Sequence, residues 1–167
     1  MPDVQPLRPH EIATDAAIVP DAALTFIGRI RTPWSRREDC PRQGAPDGPE
    51  CRVVVDPPWL PALEGIEACE RIELLYWLHQ SRRDLVRQAP GHHGEPRGTF
   101  ALRSPIRPNP IGTALVTLVR RDGAELVVRG LDCVDGTPLL DIKPERCPAA
   151  RREPPADPRP LTRVEKE

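Results

Sequence analysis

Residues 103–112 constrain the fold of this chain more than any other stretch. They read R-S-P-I-R-P-N-P-I-G, with three prolines, one glycine and two arginines. Each proline fixes its own φ and disfavours helix at the residue before it. A proline also removes a hydrogen bond from a β-ladder, so this stretch cannot be a central strand. The sequence therefore predicts a stiff, extended loop between the apolar runs 99–102 and 114–119.

Two interpretations of this loop are open from its residues alone. A rigid backbone that holds Arg103 and Arg107 in fixed positions suits an anionic or polar ligand. The alternative is a crossover stiffened by proline, with both arginines solvated. Because Lys143 and Lys166 are the only lysines, any anion site in this chain must be built from guanidinium groups.

The strand and turn pattern predicts a mainly β protein. Apolar and β-branched runs predict about seven strands, and one run with helical spacing predicts a short helix at 60–69. Asp122-Gly123 lies between two of the strands and is a strong hairpin signal. Strands and helices do not alternate, so we expect a small antiparallel β-barrel, closed or nearly closed, with long loops at 35–50 and 81–97. The predicted strands are 24–31, 51–55, 71–78, 99–102, 115–121, 125–131 and 138–143.

Composition sets the boundaries of the predicted domain. The chain has 167 residues, enough for one domain, and many of its 23 prolines crowd the two ends. We therefore expect an extended N-terminal arm over 1–23, an ordered domain over 24–144 and a Pro/Arg-rich tail over 145–167.

Charge and cysteine content exclude several classes of protein. The net charge of −1 gives no overall basic surface for nucleic acid. The five cysteines are odd in number and none has C-x-x-C spacing, so neither a zinc site nor a disulfide framework is predicted. No apolar run is long enough to span a bilayer. These features predict reduced thiols, no membrane association, no metal and a cytoplasmic location.

Few residues outside the proline loop are candidates for chemistry. His79 and Gln80 follow the most apolar strand, where ligand contacts are common, although a histidine there can also be structural. Asp132 and Asp135 share one turn and could bind a diol or a cation, or could serve turn geometry alone. His92 and His93 lack a third metal ligand at a familiar spacing. Dinucleotide, P-loop and G-x-S-x-G motifs are missing from the sequence.

Taken in order, the motifs resemble the TsaA-like (TrmO, YaeB) family of S-adenosylmethionine-dependent tRNA methyltransferases. The resemblance covers about residues 24–144 and is most specific in the 103–112 string and in D-G-T-P-L-L-D-I-K-P, which begins at Asp135. Two positions depart from the family pattern. Ile106 stands where an aromatic residue is common, and Glu145 stands where a tyrosine is usual.

The resemblance implies a β-barrel methyltransferase that acts as a homodimer. It implies S-adenosylmethionine as cofactor and N6-methylation of a threonylcarbamoylated adenosine beside the anticodon of tRNA. For the departing N6 proton we expect either Asp135 as the base or release to solvent. The matching cofactor-binding positions are Pro41, Arg42, Gln43, His79, Gln80, Arg103, Asp132, Cys133, Val134 and Asp135.

Binding of tRNA by a neutral protein requires a local basic patch, because phosphate contacts dominate nucleic-acid affinity. Arginines in the two long loops are the candidates, unless they are merely solvated: Arg36, Arg37, Arg82, Arg83 and Arg87. Two other functions stay open, a non-catalytic S-adenosylmethionine-binding module and a methyltransferase that acts on a small metabolite.

Overall fold

The part of the chain that the structure describes contains nine strands and four short 3₁₀-helices. The structure, a computed structural model, describes residues 6–89 and 95–146. Within those ranges no helix is long and apolar enough to cross a membrane. The strands are β1 (Ile12–Ala13), β2 (Gly28–Arg31), β3 (Cys51–Val55), β4 (Arg71–Trp77), β5 (Leu85–Gln88), β6 (Arg97–Gly98), β7 (Ile111–Asp122), β8 (Glu125–Arg129) and β9 (Thr137–Pro144).

Six of these strands close into an antiparallel barrel in the order β2-β3-β8-β7-β4-β9. Pairing of β2 with β9 completes the ring, so every barrel strand has two neighbours. Closure leaves no unpaired strand edge, which is a common protection against aggregation. The predicted antiparallel β-barrel is therefore confirmed.

Alternation along the strands fills the barrel interior with aliphatic side chains. In β4 the inward residues Ile72, Leu74 and Tyr76 are buried while their neighbours are partly exposed. The same period-two pattern occurs in β2 and β3. The core therefore lies inside one ring rather than between two layers.

A separate three-stranded sheet, in the order β1-β5-β6, forms beside the barrel. Ile12 pairs with Arg87 and Ala13 with Leu85, so the segment predicted as an N-terminal arm contributes a strand. β5 and β6 lie in the segment predicted as a long loop. The domain boundaries at 23 and 144 stay predictions.

Two local predictions were wrong in detail. Residues 99–102, predicted as a strand, form a 3₁₀-helix at Thr99–Ala101, and this helix is fixed by side-chain hydrogen bonds. The predicted helix at 60–69 is two 3₁₀-helices, Pro57–Leu63 and Ile66–Ala68. Pro61 lies inside the first of them, where an α-helix would be disfavoured, and Gly65, at φ 80°, separates the two.

Candidate functional site

The acidic turn 132–136 lies against the end of β2. The backbone N–H of Asp135 donates to the Trp34 carbonyl at 2.8 Å, and that of Gly136 donates to the Ile30 carbonyl at 2.8 Å. Gly136 has φ 78°, a conformation that glycine adopts without strain. The turn is therefore fixed to the first barrel strand by backbone contacts.

Asp135, the predicted catalytic base, uses both carboxylate oxygens within the protein. Oδ1 accepts the backbone N–H of Thr32 at 3.0 Å, and Oδ2 lies 3.3 Å from the Arg31 guanidinium. This geometry supports a structural role for Asp135, and its assignment as a base stays a prediction.

Asp132 is held differently, by the phenol of Tyr76. The Tyr76 O–H donates to Asp132 Oδ1 at 3.0 Å, and Tyr76 is only 3% exposed. Burial raises the pKa of the Tyr76 phenol, and the negative charge of Asp132 raises it further. Oδ2 of Asp132 has no hydrogen bond within the described residues. Asp132 is thus oriented through one oxygen and can accept a hydrogen bond through the other.

The last residue of the proline loop makes room for Tyr76. Gly112 pairs with Tyr76 between β7 and β4, and a Cβ at position 112 would lie 2.3 Å from the Tyr76 ring. The loop is further joined to β4 because the Leu78 N–H donates to the Pro110 carbonyl at 2.8 Å. The end of the R-S-P-I-R-P-N-P-I-G stretch therefore packs against the tyrosine that orients Asp132.

Pro41 and Gln43 line an open cavity of about 210 Å³ next to the acidic turn 132–136. Its lining includes Trp34 and Leu131, which supply apolar surface, and Asp39, which supplies a carboxylate. Burial and the charge of Asp132 both raise the pKa of the Cys40 thiol, as expected if the 40–43 loop and the turn are close. The full lining is Trp34, Asp39, Pro41, Gln43, Ala45, Gly48, Pro49 and Leu131.

His79 and Gln80 follow β4 directly and are exposed. Partial burial of the ring lowers the pKa of His79, and the charge of Arg29 lowers it further. The Arg29 guanidinium also donates to the Gly136 carbonyl at 3.4 Å. Arg29 is therefore bonded to the acidic turn, and its charge also reaches His79.

The two arginines of the proline loop have different environments. Arg107 is half-buried and folds back to donate to the carbonyls of Ser104, at 3.1 Å, and Leu102. Arg103 is exposed and has no hydrogen bond or ion pair within residues 6–89 and 95–146. No described contact joins Arg103 to the acidic turn, so its place in a shared site stays a prediction.

The other predicted cofactor positions differ in exposure. Arg42 is exposed, whereas Cys133 is buried at 3% exposure. Burial raises the pKa of the Cys133 thiol to about 12, so this thiol is protonated near neutral pH and contributes packing rather than charge. The half-buried Val134 uses its carbonyl to accept the Thr137 hydroxyl at 2.6 Å. Cys133 therefore contributes to packing, and the Val134 carbonyl is used within the turn.

Most of the arginines predicted to contact tRNA have partners within the protein. Arg36 pairs with Asp39, and Arg82 pairs with Asp84. Arg83 donates to the Pro108 carbonyl at 2.5 Å and lies over the Trp77 ring. Arg87 donates to the Pro96 carbonyl at 3.5 Å. The described residues include no group of His, Cys, Asp or Glu arranged for a metal, and His92 and His93 lie outside them.

Tyr76 and Trp34 were not identified from the sequence as site residues. Tyr76 is the only tyrosine in the chain and occurs on its most apolar strand. A buried phenol requires a hydrogen-bond partner, so a lone tyrosine at such a position could have indicated a buried polar contact. Its partner, Asp132, is 56 residues away and could not be inferred from strand periodicity.

These features define a small β-barrel protein with a polar site at one end of the barrel. The candidate site comprises the 40–43 loop, the end of β4 and the acidic turn. Residues 29–146 match the tRNA-methyltransferase O N-terminal domain family, and the chain belongs to that family. The resemblance inferred from the motifs is thus confirmed.

Relatives and solved structures agree with this assignment. The chain is 55% identical over 140 residues to a probable S-adenosyl-L-methionine-binding protein, VirR, of Rhizobium radiobacter, covering 84% of this chain and 80% of that protein. It is 38% identical over 131 residues to the tRNA (adenine(37)-N6)-methyltransferase of Escherichia coli, covering 71% of this chain and 55% of the enzyme. A crystal structure of TrmO from Pseudomonas aeruginosa superposes with a TM-score of 0.61 at 34% identity, covering 84% of this chain and 61% of that one. The chain thus spans just over half of the Escherichia coli enzyme and about three fifths of the Pseudomonas aeruginosa TrmO chain.

Proposed function

We propose that this protein is an S-adenosylmethionine-dependent methyltransferase that methylates N6 of an adenosine beside the anticodon of tRNA. The observation that carries the proposal is the family match over residues 29–146, which contains nearly all the residues of the site. The threonylcarbamoylated form of the adenosine is the acceptor that we propose. Action on tRNA would place the protein in the cytoplasm.

The chemistry of the cavity lining fits part of the methyl donor. Trp34 and Pro41 offer apolar surface to a sulfonium or an adenine ring, and Gln43 offers an amide to an amine or a diol. The Asp39 carboxylate at the same cavity is already paired with Arg36. Ligand pockets usually enclose about 300–1,000 Å³, and this cavity, at about 210 Å³, is smaller. We therefore propose that it holds one end of the donor and that a second subunit completes the site.

The remaining residues would orient and hold the donor. Arg103 can contact a carboxylate with two parallel hydrogen bonds because its guanidinium is exposed and unpaired within the described residues. The free oxygen of Asp132 can accept a hydrogen bond from the amine or ribose of the donor. His79 and Gln80 would line the same end of the barrel.

The donor supplies a methyl group already activated on a sulfonium, so transfer breaks a carbon–sulfur bond, forms a carbon–nitrogen bond and releases a proton from N6. The protein therefore has to align the acceptor and exclude water more than to activate it. Asp135 remains the proposed base, although its oxygens already have partners in Thr32 and Arg31. Release of the proton to solvent is the competing hypothesis.

The bonding of both Asp135 carboxylate oxygens within the protein favours a second function. A module that binds S-adenosylmethionine without transferring its methyl group needs no base, and the probable S-adenosyl-L-methionine-binding proteins among the relatives are named for binding alone. A methyltransferase that acts on a small metabolite is a further alternative with no observation in its favour.

Incubation with donor labelled in the methyl group and bulk tRNA that lacks the modification separates these functions. We expect label in the tRNA, at N6 of adenosine after digestion to nucleosides. Label found only in small-molecule extracts would identify a metabolite methyltransferase. Tight donor binding without transfer to either pool would identify the module and contradict our proposal.

A further inference from the structure

A short turn between β6 and the proline loop exposes a phenylalanine side chain to solvent. Phe100 is 80% exposed, whereas the other phenylalanine in the chain, Phe26, is 43% exposed. Phe100 lies in the 3₁₀-helix Thr99–Ala101, between β6 and the proline loop. An aromatic side chain contributes to stability mainly through burial, so its exposure on an ordered turn calls for another explanation.

Buried hydrogen bonds fix this turn and the proline loop together. The side-chain amide of Gln88, 3% exposed, donates to the Thr99 hydroxyl at 2.9 Å and to the Ile106 carbonyl at 2.9 Å. The Thr99 hydroxyl in turn donates to the Leu85 carbonyl at 2.6 Å. Gln88 thereby connects the three-stranded sheet, the 3₁₀-helix Thr99–Ala101 and the proline loop. These connections hold Phe100 in its outward position.

Arginines lie close to Phe100 in the sequence and on the paired strand. The side chain of Arg97 is exposed and forms no hydrogen bond or ion pair with the described residues. Arg87, also exposed, pairs through its backbone with Gly98. Arg87, Arg97 and Phe100 are called the aromatic corner below. No described carboxylate neutralises it.

We infer that the aromatic corner binds single-stranded RNA, with an unpaired nucleobase stacked on Phe100 and phosphates on the arginines. Aromatic side chains flanked by arginine are the usual means of holding unstacked bases, because every base offers a π-face. The inference rests on the proposed function and names the surface that would receive the loop of the tRNA. It also supplies the local basic patch that a protein of net charge −1 needs for this purpose.

Charge complementarity favours RNA over a second copy of this chain at the corner. A two-fold interface brings the same surface of both subunits together. Pairing two aromatic corners would place unpaired arginines opposite one another, and like charges in contact destabilise an interface. Single-stranded RNA, in contrast, offers phosphates to the arginines and unpaired bases to the Phe100 ring.

Fluorescence anisotropy with the full chain tests this inference. The probes are a labelled RNA stem-loop with an unpaired loop and a fully paired RNA duplex of the same length. Loss of one stacked base weakens binding roughly 5- to 150-fold, so we expect Phe100→Ala to weaken stem-loop binding to this extent and to leave duplex binding unchanged. Phe100→Tyr should retain the wild-type affinity. Phe26→Ala is the matched control and should also bind as wild type.

The arginines are tested through salt dependence. Each phosphate contact to a single strand contributes about 0.7 to the slope of log affinity against log salt. We therefore expect Arg97→Gln to make this slope less steep by about 0.7 for the stem-loop.

Three outcomes would overturn the inference. The first is wild-type affinity of Phe100→Ala for the stem-loop, and the second is a sedimentation shift from dimer to monomer in that variant with RNA binding intact. In the first case wild-type methyl transfer to tRNA by the variant would show that the proposed function stands. The third is a wild-type protein that binds no RNA, which would overturn both proposals.

Discussion

At the scale of single residues, the two arginines of the proline loop have opposite roles. Arg107 uses its guanidinium to close the loop on itself, through the carbonyls of Ser104 and Leu102. Arg103 leaves its guanidinium in solvent without a described partner. The two residues are four positions apart in one motif, so residue type alone cannot tell them apart. Only Arg103 is free to meet a ligand.

We expect Arg103→Ala to weaken binding of S-adenosylmethionine by about 1–3 kcal/mol, the scale of one lost hydrogen bond to a charged group. Isothermal titration calorimetry measures this change directly. Arg107→Ala is the matched control and should lower the free energy of unfolding instead, because it removes contacts within the loop. Unchanged donor affinity in Arg103→Ala would remove Arg103 from the site.

At the scale of secondary-structure elements, β4 and β7 meet where Gly112 faces the ring of Tyr76. A Cβ at position 112 would lie 2.3 Å from the ring, too close for any real contact. We expect Gly112→Ala to lower the free energy of unfolding by about 1–3 kcal/mol, as overpacking usually does. Urea denaturation measures the change.

Gly98 provides the control for this substitution. It has φ −57°, and a Cβ there would have no atom within 4 Å. Gly98→Ala should therefore be neutral, or stabilising by about 0.4–1 kcal/mol through the unfolded state. Equal effects of the two substitutions would mean that the Tyr76 ring does not depend on the space beside Gly112.

The elements also show what could be predicted from the sequence. Cys51–Val55 was predicted with its observed bounds because an unbroken β-branched run meets a Pro-Pro stop. The hairpin at Asp122-Gly123 was predicted for a similar local reason. The strand predicted at 99–102 failed because the buried amide of Gln88 and hydroxyl of Thr99 fix a turn there. Such tertiary contacts produce no periodic pattern in the sequence.

The candidate site, like the fold, could be predicted from the sequence only in part. The motif positions could be found from the sequence because they lie in short strings with unusual chemistry. The contact between Tyr76 and Asp132 could not, because it joins two strings through a closed ring. Likewise, the double engagement of Asp135 depends on how β2 ends, which its own turn does not reveal.

At the scale of the whole molecule, the small open cavity favours assembly. We expect the protein to form a homodimer and the donor to tighten it, because a second subunit would cover a site that one chain leaves partly open. Sedimentation equilibrium with and without S-adenosylmethionine measures both effects. A monomer that binds the donor with affinity independent of protein concentration would contradict this expectation.

Ring closure joins the first and last strands of the barrel, since β2 pairs with β9 across more than a hundred residues. During synthesis on the ribosome, β2 therefore emerges long before the strand that must cover one of its sides. Until β9 leaves the exit tunnel, β2 and β4 each expose an unsatisfied edge, and the nascent chain has to be kept from pairing with its neighbours. A pause or a truncation before Thr137 would leave a sheet that is open rather than a smaller barrel.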